Sequence, residues 1–194
     1  MRKIIPLFLT VAALVAAPKK TALDHYVAKA DPVYKYKLIQ TQKVKGGTIY
    51  KIDMTSQRYL TRKEVDRPEW RHWVIVVKPD KVKHQTGLLY IGGGNNDGKP
   101  PRPRGELMQI AAATGSVVTE IQMVPNQPLV FSNETRLRYE DAIIAYSWDK
   151  FLRGGDEKWP LRLPMTKAAV RALDTVTAFM ASAKGGGTKV DRFV

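Results

Sequence analysis

A run of three glycines directly after an apolar, strand-like segment most constrains the fold of this chain. Residues 88–91 are followed by Gly92, Gly93, Gly94 and Asn95. Glycine adopts backbone conformations that other residues avoid, and it lets another group approach the main chain closely. A glycine-rich turn after a strand is typical of α/β proteins that bind an anion or an oxyanion there. The run therefore predicts either a functional loop at one end of a sheet or a plain tight turn.

The hydrophobic pattern around this turn changes from hairpins to alternating strands and helices. Residues 34–42 and 48–55 flank a Lys-Gly-Gly turn, and alternating apolar residues in the second segment predict antiparallel strands. After residue 86 the segments alternate between strand and helix, which predicts β-α-β units and an α/β fold class. We expect further strands at 72–77, 87–91, 116–121 and 190–194, and helices at 105–114, at 139–152 and after Pro164, with Thr166 as N-cap.

Two phosphate-binding motifs come close to matching the glycine run, and both fail. The P-loop pattern matches from Gly93 through Gly98 and Lys99, but Pro100 occupies the position of the Ser or Thr that binds magnesium. The dinucleotide fingerprint ends on Asp97 instead of glycine. Proline-rich sequence also replaces the helix that would hold the phosphate. The remaining functional interpretation is an oxyanion loop formed by residues 92–95.

No catalytic residue can be assigned from the sequence. The chain has no Gly-x-Ser-x-Gly elbow, and no cysteine is present as an alternative nucleophile. The three histidines have no metal-ligand spacing, so neither a metal nor a cofactor is expected. The serines lie outside any elbow context, at positions Ser56, Ser116, Ser132, Ser147 and Ser182.

The N-terminus predicts export of the protein. Residues 1–17 combine two basic residues with an apolar stretch that ends in Val-Ala-Ala, which is typical of a signal peptide with an uncertain cut site. An uncleaved anchor is the alternative, although the stretch is shorter than the ~20 residues that span a bilayer. We therefore expect one domain over residues 18–194 in the periplasm, in the envelope or outside the cell, with no span after signal removal.

The net charge of +14 predicts attraction to anionic partners. The basic residues are scattered among carboxylates, as on an ordinary solvated surface. Weak binding of polyanions by a non-catalytic basic envelope protein is the alternative function, without specific nucleic-acid recognition.

Two long blocks of sequence carry a resemblance to a known family. They are residues 145–152, Ala-Tyr-Ser-Trp-Asp-Lys-Phe-Leu, and residues 159–172, which begin Trp-Pro-Leu-Arg-Leu-Pro-Met-Thr. With supporting blocks at 53–57, 64–68, 92–95, 113–118 and 124–131, the chain resembles the PhoPQ-activated pathogenicity-related protein family.

This resemblance implies an exported, α/β-hydrolase-like protein that acts on an ester or amide. In the family, the strand matching residues 190–194 leads into a Gly-Ala-Ser-Lys-Arg-Gly-Trp elbow that carries the presumed nucleophilic serine. The resemblance therefore implies that this chain is an N-terminal part of such a sheet, without the nucleophile, acid and histidine. We expect it to be inactive alone, and what carries over is the oxyanion-loop candidate at Gly92, Gly93, Gly94 and Asn95.

Overall fold

A computed structural model describes residues 19–99 and 101–194. The predicted signal peptide lies outside the described residues. The strands are β1 (Lys35–Val44), β2 (Gly47–Arg58), β3 (Glu69–Pro79), β4 (Thr86–Ile91), β5 (Val118–Ile121) and β6 (Arg192–Phe193). The helices are α1 (Ala22–Ala28), α2 (Gly105–Thr114), α3 (Glu140–Gly154) and α4 (Arg162–Ala181). None of the described helices combines the length and apolarity needed to cross a membrane.

The first three strands form the antiparallel half of the sheet. The β1–β2 hairpin turns at Lys45 and Gly46, as the sequence predicted. The residues on the apolar face of β2, Tyr50, Ile52 and Met54, are buried in the main core. β3 pairs with β2 along its length, and its central residues are buried on both faces, as a continuous apolar run predicts.

The remaining strands form the parallel half. The sheet order is β1-β2-β3-β5-β4-β6, so β5 lies between β3 and β4. β4 is parallel to both β5 and β6, and α2 makes the crossover between β4 and β5. Early antiparallel strands followed by β-α-β units are the predicted arrangement, and the α/β fold class is confirmed.

Helix ends follow the glycines that the sequence marked. α2 ends at Gly115 and α3 at Gly155, both in the left-handed conformation, with φ of 67° and 70°. The predicted start of the last helix was wrong. α4 begins at Arg162, and Pro164 lies in its first turn, where backbone N–H groups have no intrahelical acceptor to lose. Thr166 is not the N-cap, because its hydroxyl donates to the Arg162 carbonyl within the helix.

Two apolar clusters hold the helices on the sheet. On one face, Ala168, Ala172, Val176 and Phe179 of α4 pack in the main core. On the other face, Leu107 and Ala111 of α2 pack in a smaller cluster with residues of the central strands. The central strands are therefore covered on both sides, and the C-terminal ends of β4 and β5 open toward the loop at residue 92.

Candidate functional site

The glycine loop begins where β4 ends and is tied to the segment after β5. The Gly92 N–H donates to the Ile121 carbonyl at 2.7 Å. In return, the N–H groups of Met123 and Val124 donate to the carbonyls of Gly93 at 2.9 Å and Gly92 at 3.1 Å. The loop thus lies at the C-terminal edge of the parallel strands, where α/β sheets bind their ligands.

Two backbone donors of this loop are left over. Within residues 19–99 and 101–194, neither the Gly93 N–H nor the Gly94 N–H donates to a protein acceptor. Both glycines are exposed, and Gly94 has φ of 117°, a conformation that favours glycine. The loop therefore offers two adjacent N–H groups to a ligand, which is the chemistry an oxyanion requires.

The far side of the loop is anchored by asparagines. The backbone of Asn95 pairs with Gln127 in a parallel bridge. Asn96 donates through its side chain to the Pro128 carbonyl at 3.1 Å and accepts from Arg67 Nη1 at 2.5 Å. The predicted loop ended at Asn95, but Asn96 makes the side-chain contacts. The adjacent asparagines in the sequence were the available signal.

A buried carboxylate lies directly beneath the loop. The side chain of Glu120, on β5, is fully buried, and its Oε1 accepts from Arg104 Nε at 2.8 Å. Among the described residues its Oε2 has no hydrogen-bond partner. A Cβ at Gly92 would lie 2.9 Å from Glu120 Oε1, so this glycine is required for close approach. The Arg104 guanidinium also stacks over the Tyr90 ring at 5.2 Å.

Sequence reasoning did not find the Glu120–Arg104 pair. Glu120 lies in the run Val-Val-Thr-Glu-Ile, and a glutamate within a buried strand was the one signal that could have indicated it. The pairing with Arg104 depends on the crossover of α2, which no local pattern shows.

A serine and a histidine also meet, but in the core. Ser56 Oγ lies 2.9 Å from His72 Nε2, and His72 Nδ1 lies 3.1 Å from the Gln122 carbonyl oxygen. Both side chains are fully buried, and desolvation lowers the pKa of His72 to about 4. A nucleophile must reach its substrate, so this pair is structural. It holds β2, β3 and the end of β5 together.

An apolar cavity lies away from the loop. It has a volume of about 380 Å³ and is lined by residues near the start of β4, among them Thr86, Gly87 and Ile110. The start of a parallel strand is the opposite end from the one that binds ligands in α/β sheets. This cavity therefore does not contribute to the candidate site.

The last strand runs toward the loop from the other side of β4. In the parallel register, Thr86 faces Arg192 and Gly87 faces Phe193. The Val194 N–H donates to the Gly87 carbonyl at 3.0 Å, and the Leu89 N–H donates to the Val194 carbonyl at 2.9 Å. β6 thus points along β4 in the direction of Gly92.

The sequence of residues 23–194 matches the model of the PhoPQ-activated pathogenicity-related protein family. The chain belongs to this family. This PhoPQ-related chain is also similar to a eukaryotic protein. It is 39% identical over 176 residues to autocrine proliferation repressor protein A of Dictyostelium discoideum.

This chain matches only part of the length of each individual protein that it resembles. The match to the Dictyostelium protein covers 89% of this PhoPQ-related chain and 35% of that protein, so the chain spans about a third of its relative. A Bacteroides fragilis protein provisionally assigned as an acetyl xylan esterase shares 14% identity at a TM-score of 0.46. That likeness covers 81% of this chain and 41% of the other.

Proposed function

We propose that this chain supplies the oxyanion-binding half of an exported, serine-hydrolase-like protein that cleaves an ester or an amide. Membership of the PhoPQ-related family supports a hydrolase-like scaffold. The observation that carries the proposal is the pair of exposed backbone N–H groups at Gly93 and Gly94, without protein acceptors in the described residues. Each such donor contributes about 3–4 kcal/mol to the stabilisation of an acyl-transfer transition state.

The register of β6 supports a position for the nucleophile beside the glycine loop. Because Phe193 faces Gly87 in a parallel pair, residues that continued this strand would pass beside Tyr90 and Ile91 toward Gly92. The serine elbow that the family resemblance places after this strand would then reach the loop. In this proposal the serine attacks the carbonyl carbon, and the developing oxyanion accepts hydrogen bonds from Gly93 and Gly94. In this proposal residues 1–194 alone do not hydrolyse an ester or an amide.

The decisive experiment uses a chain extended through the elbow and assays hydrolysis of an activated ester. We expect turnover, and loss of turnover when the elbow serine is replaced by alanine. Gly93→Val should lower the rate by about a hundredfold or more, because its β-branched side chain keeps the reacting carbonyl from the N–H groups of the loop. Gly154→Val is the matched control, because Gly154 closes α3 and a Cβ there meets no atom within 4 Å. Turnover that survives Gly93→Val unchanged would reduce the loop to a plain turn.

A second candidate function rests on the exposed edge of the sheet. Lys35, Lys37 and Lys43 are all exposed on β1, the outermost strand of the antiparallel half. A basic edge of this kind attracts polyanions such as heparin or DNA through its positive field. Electrostatic binding of this kind loses affinity steeply, by orders of magnitude, between low and moderate salt. Absence of heparin binding at low salt would remove this candidate.

A further inference from the structure

A polar cleft adjoins the glycine loop. It has a volume of about 380 Å³ and lies between the segment that leads into β3 and the asparagines that anchor the loop. Its lining residues are Arg62, Asp66, Arg67, Pro68, Glu69, Arg71, Asn96 and Asn126. Three guanidinium groups therefore converge on one opening at the ligand-binding edge of the sheet.

Two of the three arginines are held in place by contacts that leave donors over. Arg71 donates to the carboxylate of Asp53, from Nε to Oδ1 at 2.5 Å and from Nη2 to Oδ2 at 2.7 Å. Arg67 donates from Nη1 to the Asn96 side chain and backbone. The planar fork of a guanidinium has further N–H groups beyond these, and a fork already fixed by one partner loses little entropy on binding a second.

The third arginine carries the uncompensated charge. Among the described residues, Arg62 forms no ion pair, and its Nη1 donates only to the Asp66 carbonyl, at 3.3 Å. The two carboxylates of the cleft already have partners. Asp66 Oδ2 lies 3.7 Å from Arg67 Nε, and its Oδ1 accepts from the Val130 N–H at 2.9 Å. Glu69 pairs with Arg58 at 2.8 Å. The cleft thus presents a net positive charge at Arg62.

The chain itself sets the distance between cleft and loop. Asn96, which lines the cleft, follows Gly94 by two residues, and two residues of extended chain span at most about 7 Å. Gly98 closes the same loop beside Arg71, since a Cβ there would lie 3.8 Å from Arg71 Nη1. One small molecule can therefore place a carbonyl at Gly93 and Gly94 and a charged group among the arginines.

We propose that this arginine cleft binds a carboxylate or phosphate group carried by the substrate, a few bonds from the carbonyl that the loop receives. This proposal rests on the proposed hydrolase function, and it limits the substrates to anionic esters or amides. Arg62 supplies the charge, and Arg67 and Arg71 supply oriented donors. Guanidinium groups bind either oxyanion in a bidentate manner, so the same cleft chemistry serves both.

The test is binding of the bare anions by the 194-residue chain, which needs no nucleophile. Isotope-labelled protein is titrated with sodium phosphate and, separately, with sodium acetate, while chloride keeps the ionic strength constant. We expect saturable changes in the amide resonances of residues 62–71 and of Asn96. We also expect Arg62→Gln to weaken binding about tenfold or more, because it removes the charged donor. Saturation by one anion alone identifies that anion as the group the cleft selects.

Arg153→Gln is the matched control, because it removes the same charge from an exposed arginine on α3 that pairs with Asp149. Arg62→Lys keeps the charge without the fork, and an intermediate affinity is expected. Failure of both anions to saturate, or equal losses in the Arg62 and Arg153 variants, would overturn the assignment. If the chain binds anions but the extended chain is inactive, only the hydrolase proposal is overturned. If the extended chain is active but the chain does not bind anions, only the proposal of an anion-binding cleft is overturned.

Discussion

The strands β3 and β4 differ in how completely they are buried. In β3, the six residues 72–77 are all buried, and β2 covers one face of the main core. In β4, by contrast, Tyr90 and Ile91 are 46% and 52% exposed at the end that leads into the glycine loop. The candidate loop therefore follows the less buried of these two strands, and we expect β3 to contribute more to the stability of the sheet.

The largest effect should come from the same substitution made in β3 and in β4. Ile75→Ala removes a fully buried side chain from the centre of β3 and should lower the free energy of unfolding by about 2–5 kcal/mol. Ile91→Ala removes the same atoms from the exposed end of β4 and should cost less than about 1 kcal/mol. Urea unfolding followed by circular dichroism measures both. Equal losses would mean that β3 and the end of β4 contribute equally to stability.

Acid should lower the free energy of unfolding of the chain through one buried histidine, His72 of β3. Burial lowers the pKa of His72 to about 4 from its ordinary 6.5, so the unfolded chain takes up this proton at a higher pH than the folded chain does. The free energy of unfolding should therefore fall as pH decreases from 6.5 to 4, by about 3 kcal/mol in total, and it should not change through this group above pH 6.5.

The matched variants are His72→Gln and His84→Gln. His84 is exposed in the segment before β4, so His84→Gln is the control for replacing a histidine outside the core. His72→Gln should flatten the profile between pH 4 and 6.5, whatever its effect on stability at neutral pH. A parallel pH dependence in the two variants would show that the acid sensitivity lies elsewhere.

Local signals in the sequence predicted much of the scaffold. Alternation in β2 gave its buried face, and Gly115 and Gly155 marked the ends of α2 and α3, because these features depend only on neighbouring residues. The predicted start of α4, after Pro164, was wrong, because the first turn of a helix tolerates proline.

The site was less predictable than the scaffold for a physical reason. The glycine run indicated where a functional loop would lie, but its supports come from distant parts of the chain. Arg104 meets Glu120 only after the α2 crossover, and Arg67 meets Asn96 across 29 positions. Hydrogen bonds between residues so far apart in the sequence depend on the order of the strands in the sheet. The spacing of residues within one segment does not specify that order.

The smallest effect should come from the loop itself and tests whether the buried carboxylate shapes it. Gly92→Ala places a Cβ 2.9 Å from Glu120 Oε1, which Arg104 holds, and should cost about 1–3 kcal/mol of stability. Gly93→Ala is the control at the next position, where the nearest atom would be 3.8 Å away, and its cost should stay below about 1 kcal/mol. In a Glu120→Ala background the Gly92→Ala cost should shrink, because the clashing oxygen is gone. If it stays the same, the constraint on Gly92 comes from the backbone at Ile121, and Glu120 has no part in shaping the loop.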